Sequence, residues 1–547
     1  MASAKPSKHK ISALLKLFIK GNKNIKQFAS ENGIPENTAR RWLIDYAKFY
    51  GLKPASPVES GKEKLRMFHL ESLPKSATYI VTSAQSATPV NKKFLLSLKQ
   101  YLTVHKATML IIPIRYKNPT SLFAERDADW WDSSIVPYLC DTRFDLCPNL
   151  TLMADIKTQP TAVDPLARLT SMSRGKSCII GHPKVSLKTV PVTRDSLPKI
   201  LVSTGSITEP NYTDSSAGKT GEFHHSFSAV VVEVDGDMFH VRHISACPDG
   251  SFIDLDTEYT PSGYHRAPPA EALVMGDTHV QFVDKAVMAA TLDASDCLAK
   301  RVRAKHFVWH DVLDFYSANH HHRKKPFIGV AKYRAGLHVV AKEVKEAFAM
   351  LCGYAKKYPG VKHVFPESNH SAAFGRWINE CDWREDPANA EFYLRTALYM
   401  VENTKMGPSG SQTPDPFTYW GTELTRGLSG FKFLKPGESF VIKGIDVGHH
   451  GHIGPNGSRG SLKALSRIGL KTIMGHSHSP GIFEGGYQVG TSSNLSLEYN
   501  AGPSSWLQTH AIIYANGKRT LIHIINGKFT MRKLKGFSVR RPVFEAI

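Results

Sequence analysis

The sequence predicts a protein of the α/β (α+β) class that is divided into several domains. Apolar, β-prone runs alternate with stretches of helical periodicity, which is the rhythm of layered sheets and helices. A chain of 547 residues is too long for one hydrophobic core, so more than one domain is expected. We predict domains at 1–52, 75–265 and 266–547, with a linker rich in Pro, Ser, Gly and Lys at 53–74.

Residues 1–52 are predicted to form a helical module. Apolar side chains at helical spacing from Ile11 to Ile19 indicate one helix, which ends near Gly21. The next segment resembles a helix-turn-helix, with a small Ala29 inside the first helix and Gly33 in the turn. Four polar side chains of its second helix are expected to face DNA: Asn37, Thr38, Arg40 and Arg41. A role in protein assembly is the alternative interpretation of this module.

The middle region, 75–265, is predicted to be an α/β domain without an assigned chemistry. The predicted helix covers 91–104, and the predicted strands cover 77–83, 108–114, 150–156, 177–181, 199–203 and 227–234. No glycine-rich loop of the phosphate-cradling type follows these strands. We expect a scaffold that shapes access to a site elsewhere.

Five polar motifs in the second half of the chain contain the candidate site. They are Gly276-Asp277-Thr278-His279, His310-Asp311-Val312-Leu313-Asp314, Ser368-Asn369-His370, Gly448-His449-His450-Gly451 and Gly475-His476-Ser477-His478. The β-prone runs that precede them cover 272–275, 306–309, 361–365, 440–445 and 472–474. Because open sheets place their sites at the carboxyl ends of strands, the motifs should converge. Their carboxylate, amide and imidazole donors suit a pair of divalent cations.

The order of these motifs resembles the calcineurin-like metallophosphoesterase family. That family has the pattern D-x-H, G-D-x-x-D, G-N-H-D/E, a lone His and G-H-x-H, and the resemblance covers roughly residues 270–530. The chain departs from the pattern where His310 replaces a Gly, and where Ser368 and Ser371 replace the Gly and the acid around Asn-His. The resemblance implies a carboxyl-terminal β-sandwich flanked by helices and a two-metal phosphoesterase activity.

The resemblance also implies a role for each matching residue. One metal would be held by Asp277, His279 and His478, the other by Asn369, His476 and a histidine of the 449–452 cluster, and Asp311 would bridge the two. Within the cluster we favour His450, which directly precedes Gly451, while His449 and His452 remain alternatives. His370 would lie beside the scissile phosphate as a general acid or a stabiliser of charge.

Two divalent metal ions are therefore the expected cofactors. Manganese is common in the family, and the same oxygen and imidazole donors also suit magnesium, iron or zinc. The expected reaction is in-line attack on phosphorus by a hydroxide that both metals activate.

The charge balance favours a polyanionic substrate. Lys and Arg number 69 against 48 Asp and Glu, which gives a net charge of +21. Such an excess raises both affinity for nucleic acid and the encounter rate, so we expect double-stranded DNA as the partner. The layout resembles phage-type DNases that degrade host DNA, and the catalytic half is similar to double-strand-break repair exonucleases. The alternatives are a phosphomonoesterase or protein phosphatase with the same metals, and a DNA-binding regulatory or assembly protein with a structural metal site.

Two features of the sequence, its cysteines and its amino-terminal segment, indicate the cellular compartment in which the protein works. The seven cysteines form no C-x-x-C pair, as expected for reduced thiols in a cytoplasmic protein, here the cytoplasm of a bacterial host if a phage encodes the chain. The apolar stretch 11–19 is too short to cross a bilayer, so no membrane partner is expected. A homo-oligomer is compatible with the sequence, which does not decide between endonuclease and exonuclease or between DNA and RNA.

Overall fold

The computed structural model describes residues 30, 76–114, 131–193, 196–408 and 410–531. The chain divides into two compact units, Met1–Arg66 and Met67–Ile547. Apart from Ser30, the predicted helical module, its four DNA-facing residues and the linker lie outside the described residues. All the strands and helices named next lie in the second unit.

Strands and helices are mixed along this unit, which confirms the α/β class. The strands are β1 (Ser76–Gln85), β2 (Thr108–Ile114), β3 (Arg143–Cys147), β4 (Leu150–Met153), β5 (Ser177–Ile180), β6 (His182–Val190), β7 (Lys199–Gly205), β8 (Ser228–Asp235), β9 (Met238–Ser245), β10 (Phe252–Asp254), β11 (Thr257–Thr260), β12 (Gly263–Arg266), β13 (Ala272–Val274), β14 (His306–Val308), β15 (Lys362–Phe365), β16 (Lys405–Gly407), β17 (Gly410–Gln412), β18 (Phe431–Phe433), β19 (Val441–Ile442), β20 (Ile445–Asp446), β21 (Lys471–Met474), β22 (Gly481–Phe483), β23 (Gly486–Gln488), β24 (Thr509–Ile513) and β25 (Arg519–His523). The α-helices are α1 (Lys92–His105), α2 (Leu169–Met172), α3 (Ser216–Phe223), α4 (Lys285–Met288), α5 (Leu298–Val302), α6 (Pro326–Ala335), α7 (Val340–Lys357), α8 (Asn369–Glu380), α9 (Ala390–Asn403), α10 (Pro416–Leu424) and α11 (Leu462–Leu465).

Two large sheets position the candidate site. The six-stranded sheet has the order β18-β15-β14-β13-β24-β25, and its first four strands are parallel. The ten-stranded sheet has the order β19-β20-β21-β23-β22-β6-β7-β5-β4-β3, in which β20, β21 and β23 are parallel. Because neighbouring parallel strands end at the same edge, the loops after β13, β14 and β15 start side by side, and so do the loops after β20 and β21.

Apolar side chains fill the space on both faces of the six-stranded sheet. On one face, Val274 and Val308 join a core that includes Ile445 and Ile473 of the ten-stranded sheet. On the other face, Phe307 belongs to a core with side chains of the helices, among them Phe348, Leu351 and Phe374. Burying an aliphatic or phenyl side chain of this size stabilises a fold by roughly 1.5–3 kcal/mol, so these layers hold the strand ends rigidly.

The ten-stranded sheet joins the regions on the two sides of residue 265. Strand β22 pairs antiparallel with β6, so that Ile482 lies opposite Leu187. A nearly buried Lys184 ammonium lies 3.5 Å from the Glu484 carboxylate across the same junction. The middle region therefore extends the sheet that carries the last motif, while the boundary at 265 stays a prediction.

The run 440–445 forms a hairpin instead of the single strand that we expected. Lys443 and Gly444 have φ values of 51° and 75°, which suit the tight turn between β19 and β20. A Lys-Gly pair between apolar residues is a weaker turn signal than Asn-Gly, and the run looked continuous for that reason. No helix among the described residues combines the length and the apolar character that a membrane span requires.

Candidate metal centre

The structure brings the predicted metal ligands into one cluster, which is buried except for the partly exposed Asn369 and His476. Asp277 and His279 follow β13, Asp311 follows β14, Asn369 begins α8 after β15, His450 follows β20, and His476 and His478 follow β21. Each motif therefore follows the end of a strand, and the two sheets bring these strand ends close to one another. The distances within the cluster define two groups of donor atoms.

The first group contains Asp277, His279, Asp311 and His478. One donor atom from each of these residues lies within 4.8 Å of the donors of the others. The Nε2 atom of His478 lies 3.0 Å from Nε2 of His279 and 3.1 Å from Oδ2 of Asp277. The Nε2 atom of His279 lies 3.8 Å from Oδ2 of Asp311. Nitrogen and oxygen donors thus converge on one small volume.

The second group contains Asp311, Asn369, His450 and His476. The amide oxygen Oδ1 of Asn369 lies 3.1 Å from Nε2 of His450 and 3.0 Å from Nδ1 of His476. The Nε2 atom of His450 lies 3.0 Å from Oδ2 of Asp311. The carboxylate of Asp311 therefore contacts both groups.

Only His450 of the three candidate histidines lies inside the cluster among the described residues. The ring of His449 points to the Asp446 carboxylate, with 3.5 Å between Nε2 and Oδ2. The ring of His452 lies 3.4 Å from the Glu367 carboxylate. The geometry therefore favours His450 as the ligand. The sequence favoured the same histidine, because it directly precedes Gly451.

The cluster fits divalent cations by its donor chemistry. The Oδ1 atoms of Asp277 and Asp311 are buried and have no hydrogen-bond partner among the described residues. Burying an ionised carboxylate oxygen without a partner costs much free energy, and a cation removes that cost. Oxygen and imidazole donors suit zinc, manganese, iron and, through the oxygens, magnesium, so they do not select one metal.

The carboxylates of Asp311 and Asp277 are held in the ionised form that metal ligation needs. Burial favours the neutral acid at Asp311, but the neighbouring His450 and His370 outweigh it and hold the pKa of Asp311 well below its usual range. Burial likewise opposes ionisation of Asp277, and His450 and His478 lower its pKa. At His476, burial and the nearby His450 lower the pKa to about 4, so that its imidazole is neutral at pH 7.

Backbone geometry at the ligands is unusual. His279, Asp311, His476 and His478 have φ values of 43°, 40°, 80° and 58°, in the left-handed region that side chains with a Cβ rarely adopt. Such conformations cost free energy and persist where the surrounding structure enforces them, which is typical of functional sites. Next to them, Gly475 has no room for a side chain, because a Cβ atom there would overlap Oδ1 of Asp277.

His370 lies beside the first group and is oriented by the main chain. Its Nδ1 donates a hydrogen bond to the carbonyl oxygen of Asp314 at 2.5 Å, and its ring lies 4.7 Å from the ring of His279. The Ser371 side chain, which stands where the family has an acid, closes a capping box with Ser368 at the start of α8. The carbonyl of Asp314 therefore orients the His370 ring through its Nδ1 atom.

Comparison with known proteins identifies the relatives of the chain. It is 34% identical over 467 residues to "Protein A1" of Escherichia phage T5, and the match covers 82% of each protein. The chain belongs to the Protein A1 family. No protein-family model matches it. Among solved structures, Vps29 of Chaetomium thermophilum matches 36% of this chain and all of its own, at 11% identity and a TM-score of 0.21, a score too low to support an argument.

In this member of the Protein A1 family, further side chains to which the sequence assigned no role lie around the candidate metal centre: Asp314, Tyr499 and Trp506. Oδ2 of Asp314 lies 3.0 Å from Nδ1 of His279, and it accepts a hydrogen bond of 2.9 Å from the Tyr499 hydroxyl. The ring of Trp506 lies 4.1 Å from the ring of His478. Asp314 belongs to one of the five motifs, but Tyr499 lies 185 residues further along the chain in a loop without a motif. Only the fold therefore shows that Tyr499 lies beside the cluster.

Proposed function

We propose that the protein is a metal-dependent phosphodiesterase that degrades DNA. The observation that supports it most is the contact of Asp311 with both donor groups. A carboxylate shared by two cations is the central feature of two-metal hydrolases, which act on phosphate esters. The order of the five motifs, which resembles the calcineurin-like metallophosphoesterases, points to the same reaction class.

In this proposal the first metal is held by Asp277, His279, Asp311 and His478, and the second by Asp311, Asn369, His450 and His476. Bound divalent cations, with manganese preferred, would supply Lewis acidity toward phosphoryl oxygens and a lowered pKa for water. The protein would supply the proton donor: as an imidazolium, His370 would keep its Nδ1 proton on the Asp314 carbonyl and give its Nε2 proton to the leaving oxygen, which leaves the ring neutral. Asn369 is the first residue of α8, so the positive end of the helix dipole also favours a phosphate there.

DNA is proposed as the substrate from the charge of the chain and from its amino terminus. The net charge of +21 favours a polyanion over a small phosphate ester. Asn37, Thr38, Arg40 and Arg41 are proposed to contact DNA, although they lie outside the described residues. The related protein comes from a phage, which is compatible with a DNase that acts in the cytoplasm of a bacterial host.

The test is hydrolysis of plasmid and linear DNA with manganese, with p-nitrophenyl phosphate and its bis ester as small substrates. We expect the wild type to cleave DNA and to prefer the diester, and Asp311→Asn to lose almost all hydrolysis with an unchanged circular dichroism spectrum. The control is Asp382→Asn, a partly exposed carboxylate that pairs with Arg384. Faster turnover of the monoester without DNA cleavage would favour a phosphatase, and DNA binding without any hydrolysis would favour a regulatory protein.

A further inference from the structure

Two aromatic side chains lie at the rim of the metal centre. Tyr499 is anchored by its hydroxyl on Asp314, yet 41% of the residue is exposed. Trp506 is partly buried and packs edge-on against His478, with 65° between the ring planes. The centroids of the two aromatic rings are 5.8 Å apart. Trp506 therefore lies next to a ligand of the first group, and Tyr499 lies next to Asp314, which contacts the ligand His279. Both residues remain in part open to solvent.

The loop that carries these rings is held in place by hydrogen bonds. The amide of Leu507 donates to the carbonyl of His478 at 3.1 Å. The Asn500 side chain donates to the carbonyl of Leu495 at 2.8 Å, and the Tyr316 hydroxyl donates to the Glu498 carboxylate at 3.0 Å. Because the loop is tied at several points, the rings form a prearranged surface that loses little entropy on binding.

A pair of partly exposed aromatic side chains beside the proposed phosphate site suits a nucleobase. Every base has a π-face that stacks on Tyr or Trp, and such contacts are the common means of binding unstacked nucleotides. A residue whose only task was to orient Asp314 would gain nothing from being 41% exposed, since further burial of its apolar surface would stabilise the fold. The arrangement is therefore better explained by a ligand that covers the rings.

We propose that Tyr499 and Trp506 form a stacking platform for the base next to the scissile phosphate. This inference rests on the proposed phosphodiesterase function and adds the substrate class: diesters that contain a nucleoside with an unstacked base. Stacking at this place holds the adjacent phosphate against the metal ligands, so it contributes to kcat/KM for nucleotides and not for diesters without a base.

The experiment compares two substrates with the same leaving group, thymidine 5′-(p-nitrophenyl phosphate) and methyl p-nitrophenyl phosphate. The readout is the ratio of their kcat/KM values in the full-length protein with manganese. Any effect of a substitution on the metals acts on both substrates and cancels in the ratio. We expect the wild type to favour the thymidine ester, and Trp506→Leu and Tyr499→Leu each to lower the ratio roughly 5- to 150-fold, the effect of losing one stacked base.

Tyr499→Phe separates stacking from hydrogen bonding, because it keeps the ring and removes the hydroxyl. We expect this variant to keep the ratio. The matched control is Trp383→Leu, which removes a tryptophan that is 39% exposed beyond the carboxyl end of α8 and must leave the ratio unchanged. An unchanged ratio in both leucine variants at the platform would overturn the inference. Failure of the wild type to hydrolyse either ester would instead overturn the proposed function, so the two failures are distinguishable.

Discussion

The Nε2 atoms of His279 and His478 lie 3.0 Å apart, although 199 residues separate the two histidines in the chain. Two neutral imidazole lone pairs at this distance repel, so a proton or a cation must lie between them. Burial opposes protonation of His279, but Asp314, Asp311 and Asp277 outweigh it and raise its pKa to about 9. A divalent cation would displace that proton, since metal ligation requires the neutral imidazole.

The first prediction is that manganese stabilises the protein through this pair. A ligand that binds only the folded state adds about 2.7 kcal/mol at 100 times its Kd, and the midpoint of thermal unfolding rises accordingly. We expect His478→Ala to lose most of this rise. The control is His449→Ala, because His449 lies outside the cluster and pairs with Asp446. Thermal unfolding of each variant with and without manganese is the measurement. If manganese raised the unfolding midpoint of His478→Ala as much as that of the wild type, His478 would be excluded as a ligand.

The second prediction separates chemistry from metal binding at His370. Because His370 hydrogen-bonds to a main-chain carbonyl and stands beside the ligands, His370→Asn should keep the metals and slow DNA cleavage by about 10²- to 10⁴-fold, the usual effect of losing a general acid. Metal content and single-turnover rates are the measurements. His321→Asn, at an exposed histidine of the short 3₁₀-helix His320–His322, should behave like the wild type. Loss of metal from His370→Asn would make His370 a ligand instead.

The sequence predicted the candidate site better than the rest of the fold. Motif order and strand-end positions were enough to predict that Asp277, His279 and Asp311 lie close together, because parallel strands bring their carboxyl ends to one edge of the sheet. Among His449, His450 and His452 the sequence favoured His450 by its position before Gly451, and only the structure shows that the rings of His449 and His452 pair with Asp446 and Glu367 instead.

Long-range contacts are what the sequence could not show. The pairing of β6 with β22 joins residues near 187 to residues near 482, and no local pattern in either strand specifies its partner. The contact of Tyr499 with Asp314 is of the same kind. Local propensity predicts where a strand or turn begins, while the choice of partner depends on how the whole chain packs.

The third prediction concerns the close approach at Gly475. A Cβ atom at this position would overlap Oδ1 of Asp277, so Gly475→Ala should displace that carboxylate and weaken metal binding at the first group. Gly353→Ala is the matched control, because Gly353 lies within α7 and a Cβ there meets no atom within 4 Å. We expect the control to be stabilised by roughly 0.5–1 kcal/mol, as alanine is favoured over glycine inside helices. Manganese titration of both variants is the measurement, and equal affinities would show that the loop yields without cost.

The fourth prediction is that the amino-terminal residues Arg40 and Arg41 contact DNA phosphates and so contribute to the affinity for DNA. If each neutralises one phosphate, the double substitution Arg40→Gln and Arg41→Gln should make the plot of log affinity against log salt shallower by about 1.8, because each contact contributes about 0.9 to the slope. Cleavage of long DNA should slow at physiological salt, whereas hydrolysis of bis-p-nitrophenyl phosphate should persist, since that small diester has no backbone for the arginines to bind.

The matched control removes the same charge elsewhere, by Arg384→Gln and Arg395→Gln, whose side chains are 74% and 68% exposed. If only total charge mattered, both double variants would shift the slope equally, and the helix-turn-helix interpretation would give way to a role in assembly. A shift confined to Arg40 and Arg41 is the outcome that the DNA-binding module requires, because counterions are released only where a phosphate is contacted. Fluorescence anisotropy with a labelled duplex over a range of salt concentrations measures the slope for each variant, with metal omitted so that binding is followed without cleavage.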